Sequence, residues 1–209
     1  DYRQKHPEVT ILDPPDAIKH LHNRQSMLQD VADLNLSDCN GKVRVPRQMV
    51  ITKDSLSIPD QVFEAGLKLP LGGILFKIYI IGETIKVVRR FSLPNVSKRE
   101  LAKVVGVFRF PRVSSAAASA DDADLDPGIA ELPPRPLLER LARELRRRLG
   151  LQLFNIDMIR EHGMRDVFYV IDINYFPGYG KMPDYEHLFT DFLLSLEQSK
   201  CRKRPATAA

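Results

Sequence analysis

The chain has 209 residues but only two cysteines, Cys39 and Cys201, far apart. So sparse a pair builds no disulfide framework and fits a reducing compartment, so the cytoplasm is the expected location. His and Cys never recur at ligand spacing, which argues against zinc. No apolar run is long enough to span a bilayer, and nothing reads as a signal peptide, so no membrane insertion is expected. The chain starts at Asp1 and not Met, and a fragment or processed product is expected. Several catalytic signatures are missing too. Gly178-Tyr179-Gly180-Lys181 lacks the spacing and the following Ser/Thr of a Walker-type phosphate loop. The protein-kinase loops, the G-x-S-x-G elbow and H-E-x-x-H are absent. Asp122-Ala123-Asp124-Leu125-Asp126 begins like a calcium loop, but Pro127 and Pro133 stand where Gly and Glu are needed.

What is present suits one or two compact lobes: 44% hydrophobic and 28% charged residues. The net charge of +4 and isoelectric point of about 9.1 favour anionic partners, whether nucleotides, phosphorylated small molecules, nucleic acid or an acidic membrane surface. The most basic run, residues 140–148, falls on a helical pattern. Leu137, Leu138, Leu141, Leu145 and Leu149 share one face, and Arg140, Arg143, Glu144 and Arg147 lie elsewhere. A solvated helix face is expected there, not a nucleic-acid patch. Lys200, Arg202, Lys203 and Arg204 open a basic tail that reads as disordered.

Along the chain, residues 8–12 read as a strand closed by Asp13-Pro14-Pro15. Asp16 can cap a helix with apolar positions Ile18, Leu21, Leu28 and Val31. Residues 35–47 look irregular, 47–52 a strand, 55–67 a turn and short helix, and 68–71 extended. Gly72-Gly73 then opens a hairpin, with Ile74 to Ile81 returning through Gly82-Glu83 as Thr84 to Phe91. Residues 98–136 are loop-like, and their Ser/Ala/Asp-rich middle, residues 114–126, reads as a mobile surface insert. A final helix is expected over residues 185–196, and no internal repeat is visible.

Two strands carry the chemistry. Leu151-Gln152-Leu153-Phe154-Asn155-Ile156-Asp157-Met158-Ile159-Arg160 and Phe168-Tyr169-Val170-Ile171-Asp172-Ile173-Asn174-Tyr175-Phe176-Pro177-Gly178 each place a carboxylate in an apolar run. A buried, unpaired charge is costly, so Asp157 and Asp172 need a cation. Asp172 and Asn174, two apart, share a strand face. Asp157 from a neighbouring strand would complete three oxygen ligands suited to magnesium. The plainer alternative is a pair of turn-forming residues at strand ends. Magnesium-type ligands, a Gly-Gly hairpin carrying Lys77 and scattered basic residues make a kit for phosphoryl transfer, which asks mainly for positioned charge.

The second acidic strand resembles the metal and substrate strand of the inositol 1,3,4-trisphosphate 5/6-kinases, also called inositol-tetrakisphosphate 1-kinases, and is nearest the plant members. Leu21-His22-Asn23-Arg24-Gln25-Ser26-Met27-Leu28, Gly72-Gly73-Ile74-Leu75-Phe76-Lys77, Arg89-Arg90-Phe91-Ser92-Leu93-Pro94 and Leu153-Phe154-Asn155-Ile156-Asp157 follow the same family in order. The resemblance implies an α+β, ATP-grasp-like fold: a mostly antiparallel sheet with flanking helices and an incomplete central lobe. It implies an inositol polyphosphate kinase, or a catalytically inactive inositol-phosphate/nucleotide-binding fragment of one, using ATP and magnesium, expected as two ions. Asp157, Asp172 and Asn174 would hold the metal. Arg24, Gly72, Gly73, Lys77, Ser92 and Ser114 would line the ATP site. Lys77, Asn174 and Gly178 would meet the inositol phosphate. From the residues alone, Lys77 reads equally as a strand-edge lysine facing water, Arg24 as a surface ion pair, and His22 as a packed or surface histidine. No general base is identified.

Residues 1–71 would then be the end of an N-terminal lobe and a remnant of the central lobe. Residues 72–197 would be the C-terminal ATP-grasp lobe, with an insert at 114–130, and residues 198–209 the basic tail. Two departures stand out. The family has an N-terminal lobe ahead of this start. It also has a long stretch between the counterparts of Leu71 and Gly72, carrying a nucleotide lysine, a substrate loop and the adenine hinge. Inositol polyphosphates and ATP are the expected partners, with no nucleic acid and a monomeric chain.

Overall fold

The computed structural model describes residues 2–36, 39–47, 74–91, 131–161 and 163–203. Its elements are α1 (Tyr2–Lys5), α2 (Pro15–His20), α3 (Arg24–Ala32), β1 (Lys42–Arg44), β2 (Ile74–Ile81), β3 (Thr84–Phe91), α4 (Arg135–Leu149), β4 (Leu153–Arg160), β5 (Val167–Tyr175) and α5 (Tyr185–Lys203). A 3₁₀ turn at Tyr179–Lys181 precedes α5. The strands form one sheet in the order β1-β5-β4-β2-β3. Every pairing is antiparallel except β1 with β5.

The hairpin forms in the register its sequence implies, Ile74 opposite Phe91 and Ile81 opposite Thr84. Gly82 turns it at φ 56°, a left-handed value that glycine adopts without steric cost. A second reason demands glycine there. A Cβ on Gly82 would lie 2.6 Å from the Phe192 ring of α5.

Helix α4 buries Leu137, Leu138, Leu141, Ala142, Leu145 and Leu149 against one sheet face. Each such leucine contributes roughly 1.5–3 kcal/mol of burial. Gly150 ends the helix in the left-handed conformation, and its N–H donates to the Arg146 carbonyl. Several arginines of the helix are engaged by carboxylates. Arg140 and Arg147 meet Glu144, Arg146 meets Glu83 of the hairpin turn, and Arg148 meets Asp30 and Asp33 of α3. This arrangement matches a solvated, ion-paired face.

Several expectations are corrected. Residues 8–12 form no strand. Instead Asp13, at φ 49°, uses its carboxylate to accept the N–H groups of Gln152 (2.5 Å) and Leu153 (3.0 Å), tying the N-terminal segment to the start of β4. The single helix expected after Asp16 is two, and Asp16 lies in the first turn of α2 without capping it. The break falls at Asn23, whose side chain accepts from Gln25 N (3.0 Å) and Ser26 N (3.2 Å) and so starts α3. Residues 35–47 contain β1, which three residues with one apolar side chain could not announce. Helix α5 runs to Lys203, beyond the expected end at residue 196. Apart from Arg47, which is in no strand, the strand expected at residues 47–52 lies outside the described residues, as do the short helix expected at 55–67, the insert and residues 204–209. Among the described residues no helix is long and apolar enough to cross a membrane.

Candidate functional site

The sheet face away from α4 is divided. At one end Tyr79, Ile81, Leu153, Tyr179, Met182 and Phe192 form an apolar cluster. Above it lie two rows of polar residues across β2, β4 and β5. Lys77, Asp157 and Asp172 are cross-strand partners in one row, and Tyr79, Asn155 and Asn174 in the next. Sequence spacing predicted the shared face of Asp172 and Asn174 and the approach of Asp157, and the register brings all three together.

A β-bulge makes this possible. Asp157 pairs with Asp172, whereas Met158 pairs with Val170, so Ile171 is an extra residue on β5. Phe168 and Val170 belong to the core beneath α4. In an unbroken strand Asp172 would share their face. The extra residue turns it over, placing Asp172 and Asn174 opposite Asp157 and Asn155 while Ile173 returns to the core. The Ile171 carbonyl at the bulge is met by Arg24 Nη2 at 2.5 Å. Arg24, at the first turn of α3, therefore braces the strand that carries Asp172.

Asn155 and Asp157 are buried, at 0% and 5% exposure. Lys77 Nζ donates to Asp157 Oδ1 at 3.1 Å and is 3.5 Å from Oδ2. It also lies 6.0 Å from the Tyr79 ring centroid. Asn155 Nδ2 donates to the same Oδ1 at 2.7 Å. Burial pushes the Asp157 carboxyl above the ordinary carboxylate range. Lys77 pulls it back, neighbouring Asp172 adds to the rise, and the Asn155 amide opposes it. Asn155 Oδ1 is buried and has no hydrogen-bond partner among the described residues. Burial also pushes the Tyr179 phenol up, with Asp13 adding to the effect.

These donors suit a small hard cation. Two carboxylates and two amide side chains share this face in adjacent rows, and among the described residues one amide oxygen is buried without a partner and Asp157 Oδ2 has only a long contact. The set depends on amides: among the described residues no three His, Cys, Asp or Glu side chains gather as a metal cluster. Asp172 is half-buried and Asn174 exposed, so the array opens on the β5 side. The chain then turns at Phe176, at φ 37°, whose ring packs edge-on against Tyr179 and Phe189. Beyond it Gly178 has open space around it.

Of the residues expected from sequence, Lys77, Asp157, Asp172 and Asn174 form the array, Gly178 follows it, and Arg24 lies behind it at the bulge. Gly72, Gly73, Ser92 and Ser114 lie outside the described residues. Asn155 is a member that the sequence reading did not assign. The signal was present: Asn155 and Asp157 repeat, on β4, the two-residue polar spacing of Asp172 and Asn174 on β5.

The comparisons with known proteins bear on the family and the fold. Residues 71–195 match the family described as inositol 1,3,4-trisphosphate 5/6-kinase ATP-grasp domain. The chain is 68% identical to inositol-tetrakisphosphate 1-kinase 4 of Glycine max, covering 100% of this chain and 73% of that protein. It is 64% identical to inositol-tetrakisphosphate 1-kinase 3 of Arabidopsis thaliana, covering 98% and 69%. The alignment to the Glycine max protein has 250 positions and this chain 209 residues, an excess of 41 without a counterpart here. Among solved structures, the macrocyclase MdnB of Microcystis aeruginosa MRC superposes with a TM-score of 0.53 at 12% identity, over 88% of this chain and 58% of that one. The ATP-grasp ligase PsnB, complexed with a minimal precursor, gives 0.52 at 13%, over 94% and 67%. At such identities these two show the fold alone.

Proposed function

Because the chain belongs to the inositol 1,3,4-trisphosphate 5/6-kinase ATP-grasp family, we propose that it is an ATP-dependent inositol polyphosphate kinase whose polar array is the magnesium corner of the phosphoryl-transfer site. The observation that carries this reading is the facing of Asp157 and Asp172 across the bulge, with Asn174 beside them and a buried amide oxygen left over. The reaction class is transfer of the ATP γ-phosphate to a hydroxyl of an inositol tris- or tetrakisphosphate.

Magnesium bound there would offset charge on the transferring phosphoryl group. The remaining work falls to side chains. Asp157, Asp172 and Asn174 supply the metal oxygens. Lys77 rests on Asp157 and carries a flexible point charge that can turn toward a phosphate oxygen. Asn174 and Gly178 stand at the open edge, where a bulky phosphorylated ring meets no side chain at position 178. Arg24 holds the bulge from behind the array, through the Ile171 carbonyl. Gly72, Gly73, Ser92 and Ser114 would complete the nucleotide site. A loose phosphoryl-transfer transition state makes little demand for a general base, and none is assigned. A cytoplasmic monomer is the setting this reading expects.

A second reading is favoured by the 41 positions that this chain lacks against its Glycine max relative. If they are the nucleotide-clamping stretch expected between Leu71 and Gly72, the chain would bind inositol phosphate or nucleotide without turnover. Calorimetry with ATP and with inositol phosphates, with and without magnesium and alongside a turnover assay, separates the two. Magnesium-dependent binding with turnover supports the kinase, binding without turnover supports the second reading, and absence of binding refutes both.

A further inference from the structure

We propose that Asn155 sets the ion preference of this site by holding Asp157 as a one-oxygen ligand, which suits magnesium and disfavours calcium. The inference rests on the magnesium reading above and deepens it.

Magnesium takes six oxygens in a tight octahedron at about 2.0–2.1 Å, whereas calcium takes six to eight at about 2.3–2.6 Å and often draws both oxygens of one carboxylate. Asp157 is poorly placed for the second mode. Its Oδ1 already accepts from Asn155 at 2.7 Å and from Lys77 at 3.1 Å, and among the described residues its Oδ2 has only the 3.5 Å contact. The two donors differ in permanence. Lys77 is a long, partly exposed side chain that can leave for a phosphate. Asn155 is wholly buried on the central strand, two residues from Asp157 on the same face, and has nowhere to go. Turning both Asp157 oxygens to one ion would strip the buried Asn155 amide of its acceptor.

Packing alone does not explain an asparagine here. Its neighbours on β4 are apolar, and its own Oδ1 has no partner among the described residues. A buried amide left half-satisfied is a worse core residue than valine or leucine. Its chemistry lies in the donor aimed at Asp157 and in the spare oxygen beside Asn174, which can accept from a metal-bound water.

The test uses the full 209-residue chain. Asn155→Leu keeps the branching at Cγ, and Asn155→Val keeps strand preference; both remove the donor. Manganese binding is followed by electron paramagnetic resonance without nucleotide, with magnesium and calcium as competitors and a melting curve for each variant. The expected result is a rise of about tenfold in the calcium-to-magnesium affinity ratio, in the range of losses seen when a residue supporting a metal ligand is removed. An unchanged ratio in a variant that melts like the unsubstituted chain overturns the inference and leaves the magnesium reading standing. No manganese binding by the unsubstituted chain overturns both. If neither variant folds, the Asn155 side-chain amide of the unsubstituted protein decides by NMR. It keeps a hydrogen-bonded shift at saturating magnesium if the inference holds, and moves to a free-amide shift if it does not.

Discussion

Replacing Lys77 by methionine probes the charge balance of the array without shortening the side chain. The Lys77 and Asp157 side chains are 19% and 8% exposed. Removing one partner of a buried pair strands the other charge at about 3–5 kcal/mol, and the partial exposure of Lys77 places the expected loss near 3 kcal/mol. For a chain of this size that lowers the melting temperature by about 6–12 °C. The pH dependence has a definite sign. Asp157 holds its proton more tightly folded than unfolded, so its contribution to stability is fullest at low pH and is lost as pH rises through its native pKa. Lys77 opposes that upward shift, so its removal enlarges it. With a chelator present, Lys77→Met should therefore lose more stability at pH 8 than at pH 5. Added magnesium should restore more to the variant than it adds to the unsubstituted chain, because the competing ammonium is gone. Calorimetric melting at both pH values reads this directly, and a loss of equal size at pH 5 and pH 8 refutes the reasoning.

Other substitutions test the supports of the site. Arg24→Met removes the donor on the Ile171 carbonyl at the bulge. Urea denaturation should show a loss of about 1.5 kcal/mol for this charge-assisted bond, and manganese affinity should weaken with it. Unchanged metal affinity would mean that the bulge holds without Arg24. Gly82→Ala combines a left-handed backbone with a Cβ 2.6 Å from Phe192, and should cost about 2 kcal/mol in the same assay. Leu141→Ala, at 0% exposure beneath the sheet, should cost about 2–5 kcal/mol by denaturation while leaving metal affinity intact.

The hairpin, α4 and the two acidic strands were legible because each carries its own period. Ile74 to Phe91 holds β-forming runs around Gly82-Glu83, and the leucines of α4 recur on one helical face. The spacing of Asp172 and Asn174 likewise announced a shared face. The bulge was not legible, because nothing in Val170-Ile171-Asp172 says which residue is extra; that depends on pairing with β4 and on Arg24, 147 residues away in sequence. Strand β1 is stabilised by its parallel partner β5 more than by its own residues. Residues 8–12 show the converse, an apolar run that finds no strand partner and is held through Asp13 instead. Asn155 escaped notice because an asparagine inside an apolar strand has no fixed meaning until its neighbours across the sheet are known.

The most direct test of the account is transfer of labelled γ-phosphate from ATP to inositol tris- and tetrakisphosphates, comparing the unsubstituted chain with Asp172→Asn in magnesium. The account predicts labelled inositol phosphate from the unsubstituted chain, dependent on magnesium and reduced by about a hundredfold in the variant. Transfer that continues undiminished in Asp172→Asn would contradict it.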